Sequence, residues 1–352
     1  MRRSRSMRWV TLVAVATLAI GACSNTGGSA APASGAASTA PSGAAGQPGT
    51  KEFGVAFTSV GLSSAPFLAA IDKLNKEGGY NITTQEIAES ELVTAGVAAG
   101  DFAFGSGANN ATMAAIEKGA NLKSVVARVQ NEWTLYAKTD IADCAGLDGK
   151  RLAIHSQGAV STAMVKNYID TTCPGTEPEY VVIEGSPNRV AAMLADQIDA
   201  SPLELTDATN IDETASDRYH QIASFANDLP DLQTTSIYTN GDFAAENPGS
   251  VAALVKAVLE INREIDGNPA RLKEIAETFV PDAIDAATID AAIAKYLDLG
   301  MFPTDGGLTA ENIDYTADFF GPEGTGSTTV KLTPDQWSDL SYLQTALDEL
   351  GG

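Results

Sequence analysis

From Glu52 onward the chain alternates short apolar runs with stretches of helical periodicity, and it does so in two series. "EFGVAFTS" (52–59) predicts a strand. "APFLAAIDKLNKEGG" (65–79) predicts a helix with Phe67, Ala70, Ile71 and Leu74 on one face, ended by Gly78 and Gly79. "NITTQEIA" (81–88), "ELVTAGVAAG" (91–100) and "DFAFGSG" (101–107) repeat strand, helix, strand, and "NATMAAIEKGA" (110–120) is the next helix. The second series begins after Ala142: strand "RLAIHS" (151–156), helix "AVSTAMVKNYID" (159–170), strand "EYVVIEG" (179–185), helix "NRVAAMLADQ" (188–197) and strand "DASPLEL" (199–205). Alternation of this kind implies parallel sheets covered by helices on both faces. From Asn247 the pattern is almost wholly helical, with Val251, Leu254, Val255, Val258, Leu259 and Ile261 as the apolar positions of the first helix.

Two extended runs, 122–138 and 233–240, bracket the second series. Read as crossovers, they make the middle unit an insertion and send the tail back to the first. The expected division is lobe 1 at 51–136 and 239–352, and lobe 2 at 137–238. Two crossings make a hinge, and hinged lobes close on a ligand held between them.

The amino terminus carries a different instruction. Arg2, Arg3, Arg5 and Arg8 precede an apolar run from Trp9 to Ala22, the pattern of a secretory signal at 1–22 and too short a run to span a bilayer comfortably. "IGAC" (20–23) resembles the bacterial lipobox, which implies that Cys23 becomes the lipidated first residue of the mature chain. Residues 24–50 contain no charge, no aromatic and no aliphatic larger than alanine, so they cannot bury enough surface to order themselves. With Cys23 they read as a disordered tether, 23–50, whose ends lie on the order of 30 Å apart. Loss of residues 1–22, which hold four arginines and no acid, takes the net charge from −23 to −27. Such a charge excludes nucleic acid as a partner and leaves membrane attachment to the lipid. With Cys23 lipidated, Cys144 and Cys173 remain as a pair in an oxidising compartment. Cys144 precedes the first strand of the second series and Cys173 follows its first helix, both at the edge away from the cleft, and a disulfide between them is expected.

Residues 51 to about 320 resemble the substrate-binding proteins of ABC importers in the nitrate, sulfonate, taurine and thiamine-precursor family. The resemblance rests on "SSAPFLAA", "AGVAAGDFAFGSGANNATMAAIEKGANLKSVV", "LDGKRLAIHSQGA" and "RVAAMLADQIDASPLE", in that order and spacing. In the last, Gln197 and Ile198 stand where the family has a glycine and its neighbour. The resemblance implies a two-lobed, type II periplasmic-binding-protein α/β fold, each lobe a mostly parallel sheet flanked by helices. Two crossover strands serve as its hinge, and the ligand cleft lies between the lobes. It further implies an extracytoplasmic, lipid-anchored receptor that takes a small solute, of the nitrate, sulfonate or taurine type first, to an ABC permease and its ATPase. A monomer without cofactor is expected.

In open parallel sheets ligands bind beyond the carboxyl ends of strands, where helix N-termini offer unpaired N–H groups. The turns so placed supply the expected ligand-binding residues: Ser63, Ser64 and Ala65; Gly105, Ser106 and Gly107; His155, Ser156, Gln157 and Gly158; Asn188 and Arg189; and Glu204. Trp133, with Asn131 and Glu132, sits mid-crossover and is expected to floor the cleft. Each serine reads equally as a helix cap, and His155 as a hydrogen-bonded strand end. Glu132, Glu184 and Glu204 oppose an anionic ligand while Arg189 favours one, so ligand charge stays open. "GSGANNA" (105–111) lacks the lysine and hydroxyl of a phosphate loop, and the dinucleotide pattern would need glycine at Asn110. "AIHSQG" lacks the glycine of a nucleophile elbow, and two separated histidines build no familiar zinc site, so neither catalysis nor metal is expected. Rival readings are a thiamine-precursor pyrimidine or other heterocycle as ligand, a lipoprotein that presents ligand to a sensor, and a secreted hydrolase.

Overall fold

The computed structural model describes residues 48–280 and 285–351; the expected signal, Cys23 and most of the expected tether lie outside the described residues. The first series is β1 (Glu52–Phe57), α1 (Ala65–Glu77), β2 (Asn81–Glu86), α2 (Ser90–Ala99), β3 (Phe104–Ala108), α3 (Asn109–Glu117) and β4 (Leu122–Val129). The second is β5 (Thr134–Lys138), a 3-10 turn at Cys144–Leu147, β6 (Arg151–Ile154), α4 (Val160–Thr172), β7 (Glu179–Val182), α5 (Ser186–Leu194), β8 (Ala200–Leu203), α6 (Leu205–Ala215), β9 (Tyr219–Ser224), α7 (Phe225–Asp228) and β10 (Thr235–Asn240). The tail is α8 (Gly241–Glu246), α9 (Pro248–Gly267), α10 (Ala270–Phe279), α11 (Ala286–Asp298), α12 (Ala310–Phe320), α13 (Pro334–Trp337) and α14 (Ser341–Glu349).

Two five-stranded sheets form, in the orders β2-β1-β3-β10-β4 and β7-β6-β8-β5-β9. The two orders are the same motif. In each, three neighbouring strands pair in parallel, and the antiparallel strand, β10 or β5, is the first to form after the chain crosses from the other sheet. β10 lies between β3 and β4, and β5 between β8 and β9, each hydrogen-bonded on both sides. A central position satisfies every backbone donor and acceptor of the visiting strand, which an edge would not.

This placement alters the expected organisation in three respects. The run 122–138 is not one crossover strand: β4 stays in the first sheet, β5 enters the second, and the chain passes between them at 130–133. The divisions expected at 136/137 and 238/239 therefore fall within β5 and β10, whereas sheet membership changes at 130–133 and again at 225–234. Nor does the tail pack on the first lobe alone. α9 and α14 do lie against it, α9 on α1, but α11 packs on α6 of the second half.

The core follows the apolar periodicity. Val251, Leu254, Val255, Val258, Leu259 and Ile261 of α9 are all buried, as are Phe67, Ala70 and Ile71 of α1. Phe53, Phe104 and Phe243 pack at edge-to-face and tilted angles between them. α1 starts with Pro66 in its first turn, where no donor is lost, and closes through the Gly78 N–H bonding the Leu74 carbonyl. On the free edge of β4, the Ala127 N–H donates to the Gly306 carbonyl, so tail chain covers the exposed edge.

Cys144 and Cys173 are joined by a disulfide, with Cα atoms 6.0 Å apart. It ties the 3-10 turn ahead of β6 to the C-terminus of α4, closing a loop with a sequence separation of 29 residues. Replacing both cysteines by serine is expected to lower unfolding stability by about 3–4 kcal/mol in the chain-entropy model. Denaturant titration of native and variant chains, with and without reductant, measures this loss, and reductant should not destabilise the variant further.

Candidate functional site

The parallel strands of both sheets run toward the same gap, so their carboxyl-end turns meet across it. Asn110, at the start of α3, donates from Nδ2 to the Gly158 carbonyl at 2.7 Å, linking the halves. His155 Nδ1 accepts the Gly185 N–H at 3.0 Å, which leaves the proton on Nε2, 3.6 Å from Glu89 Oε2 of the other half. A groove of about 770 Å3 opens along this contact, bounded by Glu91, Thr94 and Asn110 on one side and Gln157, Gly158 and Lys166 on the other.

Glu132 lies outside that groove, on the segment that passes from β4 to β5. It is 2% exposed. Its Oε2 accepts a hydrogen bond from the Tyr296 hydroxyl of α11, and the Ser63 hydroxyl donates to it as well. Thr206 Oγ1 donates to the Tyr296 hydroxyl at 3.4 Å, so α6, α11 and the crossing segment are joined through one phenol. Burial, then the nearby negative charge of Glu204, pushes the Glu132 carboxyl far above the usual carboxylate range; Tyr296, Arg128 and Ser63 oppose that shift. Burial beside Glu132 likewise drives the Tyr296 phenol well upward.

A second acid and a cation lie near Glu204 in lobe 2. Asp207, in the first turn of α6, is pushed up to about 7 by burial and then by Glu204, against the Ser186 hydroxyl and Arg189. Arg189, in the first turn of α5, has no exposed surface. Its Nε donates to Ser201 Oγ and the Pro202 carbonyl, both at 3.1 Å, and its Nη1 to the Ile183 carbonyl at 3.3 Å. Its guanidinium carbon stands 6.0 Å from the centre of the Trp133 ring. Desolvation lowers its pKa to about 10, with Glu204 and Asp207 pulling the other way.

The remaining expected residues divide between the cleft, the scaffold and the rim. Ser64 closes its own turn: Oγ accepts the Gly61 N–H at 3.0 Å and donates to the Ser59 carbonyl at 2.8 Å. Ala65 is buried at the start of α1. Gly105 admits the Tyr238 ring, since a Cβ there would stand 2.6 Å from it. Gly107 borders the same tyrosine hydroxyl and Ser90. Between them Ser106 is fully buried with no partner for its hydroxyl. The Ser156 carbonyl accepts from Thr162, Gln157 is exposed and paired with Lys166, and exposed Asn188 bonds the Glu184 carbonyl. Glu204 is half-buried at the N-cap of α6, its N–H donating to Ser186 Oγ at 3.2 Å.

Asp207, Tyr296 and Arg128 join the site without having been singled out from sequence, and Asn110 ends the turn expected from Gly105. Asp207 follows Glu204 by one helical turn at the head of α6, an element hidden by the absence of a strong apolar face in "LTDATNIDETA". Tyr296 is 164 residues from Glu132, and no local pattern links them. Among the described residues no group of three or more His, Cys, Asp or Glu is placed to hold a metal ion.

A family model described as NMT1/THI5 like matches residues 63–271. Among solved structures, a protein of Bordetella bronchiseptica RB50 superposes with a TM-score of 0.70 at 17% identity, over 86% of this chain and 99% of the other. The periplasmic nitrate-binding protein of Synechocystis PCC 6803 gives 0.66 at 13% identity, over 86% and 90%. The periplasmic aliphatic sulphonate binding protein of Escherichia coli gives 0.57 at 14%, over 77% and 85%. These likenesses show the two-lobed periplasmic-binding-protein fold. No curated sequence matches the chain.

The raised acids make stability fall with pH. Unfolded, Asp207 ionises near 4; folded, it holds its proton to about 7. The native state therefore binds the extra proton between those values, and its stability is expected to decline as pH rises through that window, by at most about 4 kcal/mol for this group. Melting temperatures of the native chain and Asp207→Asn from pH 4.5 to 8 check this: the native curve should fall more steeply, and parallel curves would show that Asp207 titrates normally.

Proposed function

The chain belongs to the NMT1/THI5-like family, and from that premise we propose that it is an extracytoplasmic solute-binding receptor of an ABC importer. It captures a small solute between its lobes and hands it to the permease, whose ATPase drives uptake. One observation carries the reading. Groups from both lobes act on the buried Glu132 of the crossing segment: Ser63 and Arg128 from the first lobe, Glu204 from the second, and Tyr296 from the tail helix α11. Such a site forms on closure and is dismantled on opening, which is what capture and release need. No bond is made or broken, and no cofactor enters the proposal.

The solute is of the kind that the similar folds are named for, nitrate or a sulfonate, or the related taurine. A thiamine-precursor pyrimidine is the alternative. Ser63, Ser106, Trp133, His155, Arg189 and Glu204 are the proposed contacts from the expected set, with Glu132 and Asp207 added. Ser64, Ala65, Gly105 and Gly107 shape the turns behind them, while Ser156, Gln157, Gly158 and Asn188 edge the entrance.

Cys23 is proposed to carry the lipid that holds this monomeric receptor at the cell membrane, with residues 24–50 as its leash. Among the described residues no helix is long and apolar enough to cross a membrane. Cys23→Ser is expected to release the chain from membranes into the medium, measured by fractionation; retention at the membrane would refute the anchor.

Thermal unfolding of the full chain against nitrate, sulfonates, amino acids, pyrimidines and flavins tests the receptor reading. A true ligand at a hundredfold excess over Kd adds about 2.7 kcal/mol. Absence of any shift, together with turnover of an ester or peptide, would replace the receptor with a hydrolase.

A further inference from the structure

Besides the two strand crossings, a helix of the tail connects the lobes. α10 belongs to the first lobe: it packs on α1 and α9, and Glu264 of α9 accepts from Lys73 of α1 at 2.9 Å and from Arg271 of α10 at 3.1 Å. Lys273 of α10 pairs in turn with Asp290 of α11. Yet α11 packs on α6 of the second lobe, with Ala292, Ile293 and Tyr296 buried. Past α11 the chain is back on the first lobe. There the Gln130 N–H donates to the Met301 carbonyl at 3.0 Å and the Ala127 N–H to the Gly306 carbonyl at 2.9 Å, while Asn262 of α9 donates to the Pro303 carbonyl at 3.0 Å. α11 is thus rooted in lobe 1 at both ends and laid over lobe 2 between them.

The attachments to the two lobes differ in kind. Those to lobe 1 include backbone hydrogen bonds that cap the edge of β4, and breaking them would leave main-chain groups unpaired. Those to lobe 2 are made by side chains. Lys295 Nζ meets Asp212 Oδ2 of α6 at 2.6 Å, and the Tyr136 hydroxyl donates to the same carboxylate at 2.9 and 3.0 Å. The Thr206 hydroxyl reaches that of Tyr296 at 3.4 Å. This seam is not filled: a pocket of about 220 Å3 separates Lys295, Asp298 and Leu299 of the tail from Tyr136, Gln221 and Ser224 of the second sheet. Rotation of lobe 2 about the crossing segments has to strain one set of attachments or the other, and the side-chain seam beside a cavity is the weaker.

We propose that α11 is a strap that stays on the first lobe and limits how far the lobes swing apart, with Lys295 and Asp212 as its latch on the second. Wide opening then requires the latch to part, and the strap restrains the lobes whichever solute they take. Both latch side chains are more than one third exposed, so the pair shifts the balance between latched and unlatched forms by about fivefold at most.

Small-angle X-ray scattering of the solute-free full chain tests the strap. Lys295→Glu, which sets like charges against each other at the latch, is expected to raise the radius of gyration, and Lys295→Arg, which keeps the pair, to leave it at the native value. Hydrogen exchange distinguishes unlatching from general loosening. In Lys295→Glu the α11 amides should exchange faster by about fivefold, the effect of losing one partly exposed ion pair, while those of Ala127 and Gln130 keep their native rates. Melting curves check that each variant folds. Asp212→Asn, which keeps an acceptor for Tyr136, decides the matter if Lys295→Glu does not fold, and the same rise is expected of it. A native radius of gyration in the folded variant would overturn the strap, and so would faster exchange at Ala127 and Gln130, since the helix would then be leaving the first lobe. No solute enters these measurements, so either result leaves the receptor reading where it stands.

Discussion

β5 and β10 each leave the half of the chain that precedes them and insert, antiparallel, between two strands of the other sheet. A strand in that position is locked by hydrogen bonds on both edges, so the lobes cannot separate without unmaking a sheet. They can only rotate about the short segments between β4 and β5 and between β9 and β10. Because the other strands of each sheet are parallel, their helix-opening turns all emerge at the end where the chain crosses. The crossing therefore places the hinge and the cleft together, and Glu132, in the first crossing segment, is part of both.

Much of this was legible in the sequence because it depends on local periodicity. The apolar faces of α1 and α9, the strand and helix alternation, and the turns at Ser63 to Ala65, Gly105 to Gly107 and His155 to Gly158 all arise from short-range spacing. The break inside 122–138 was not, because Gln130 to Trp133 contains neither glycine nor proline; the division depends on which sheet each half pairs with. β9 escaped notice for a related reason. "YHQIAS" is a half-polar edge strand, recognisable only from its pairing with β5. The site was readable to the extent that it lies at strand ends. Glu132, Trp133, Arg189 and Glu204 stood out as charged or aromatic residues at such ends, while Tyr296 reaches the cleft from a tail helix whose docking on α6 no sequence interval announces.

The glycines of "GSGANNA" illustrate how a functional signature and a packing signature coincide. Gly105 and Gly107 invite a reading as close approach to a ligand, and at Gly105 the group that approaches is the Tyr238 ring of the inserted strand β10, whose hydroxyl meets Thr94 at 3.0 Å. Gly105 of β3 must be small because the visiting strand brings a large side chain to its flank. Ser106, on the opposite face, is the member of this trio whose buried hydroxyl lacks a partner.

Closure of these lobes is opposed by the cleft's own charges. Bringing Glu132, Asp207 and Arg189 out of water costs several kcal/mol for each ion that stays charged. The upward shift of both acids has the same cause, since burial disfavours their charged forms. Hydrophobic burial between the lobes would stabilise closure on any small guest; separated, unpaired charges stabilise it only around a guest that completes them.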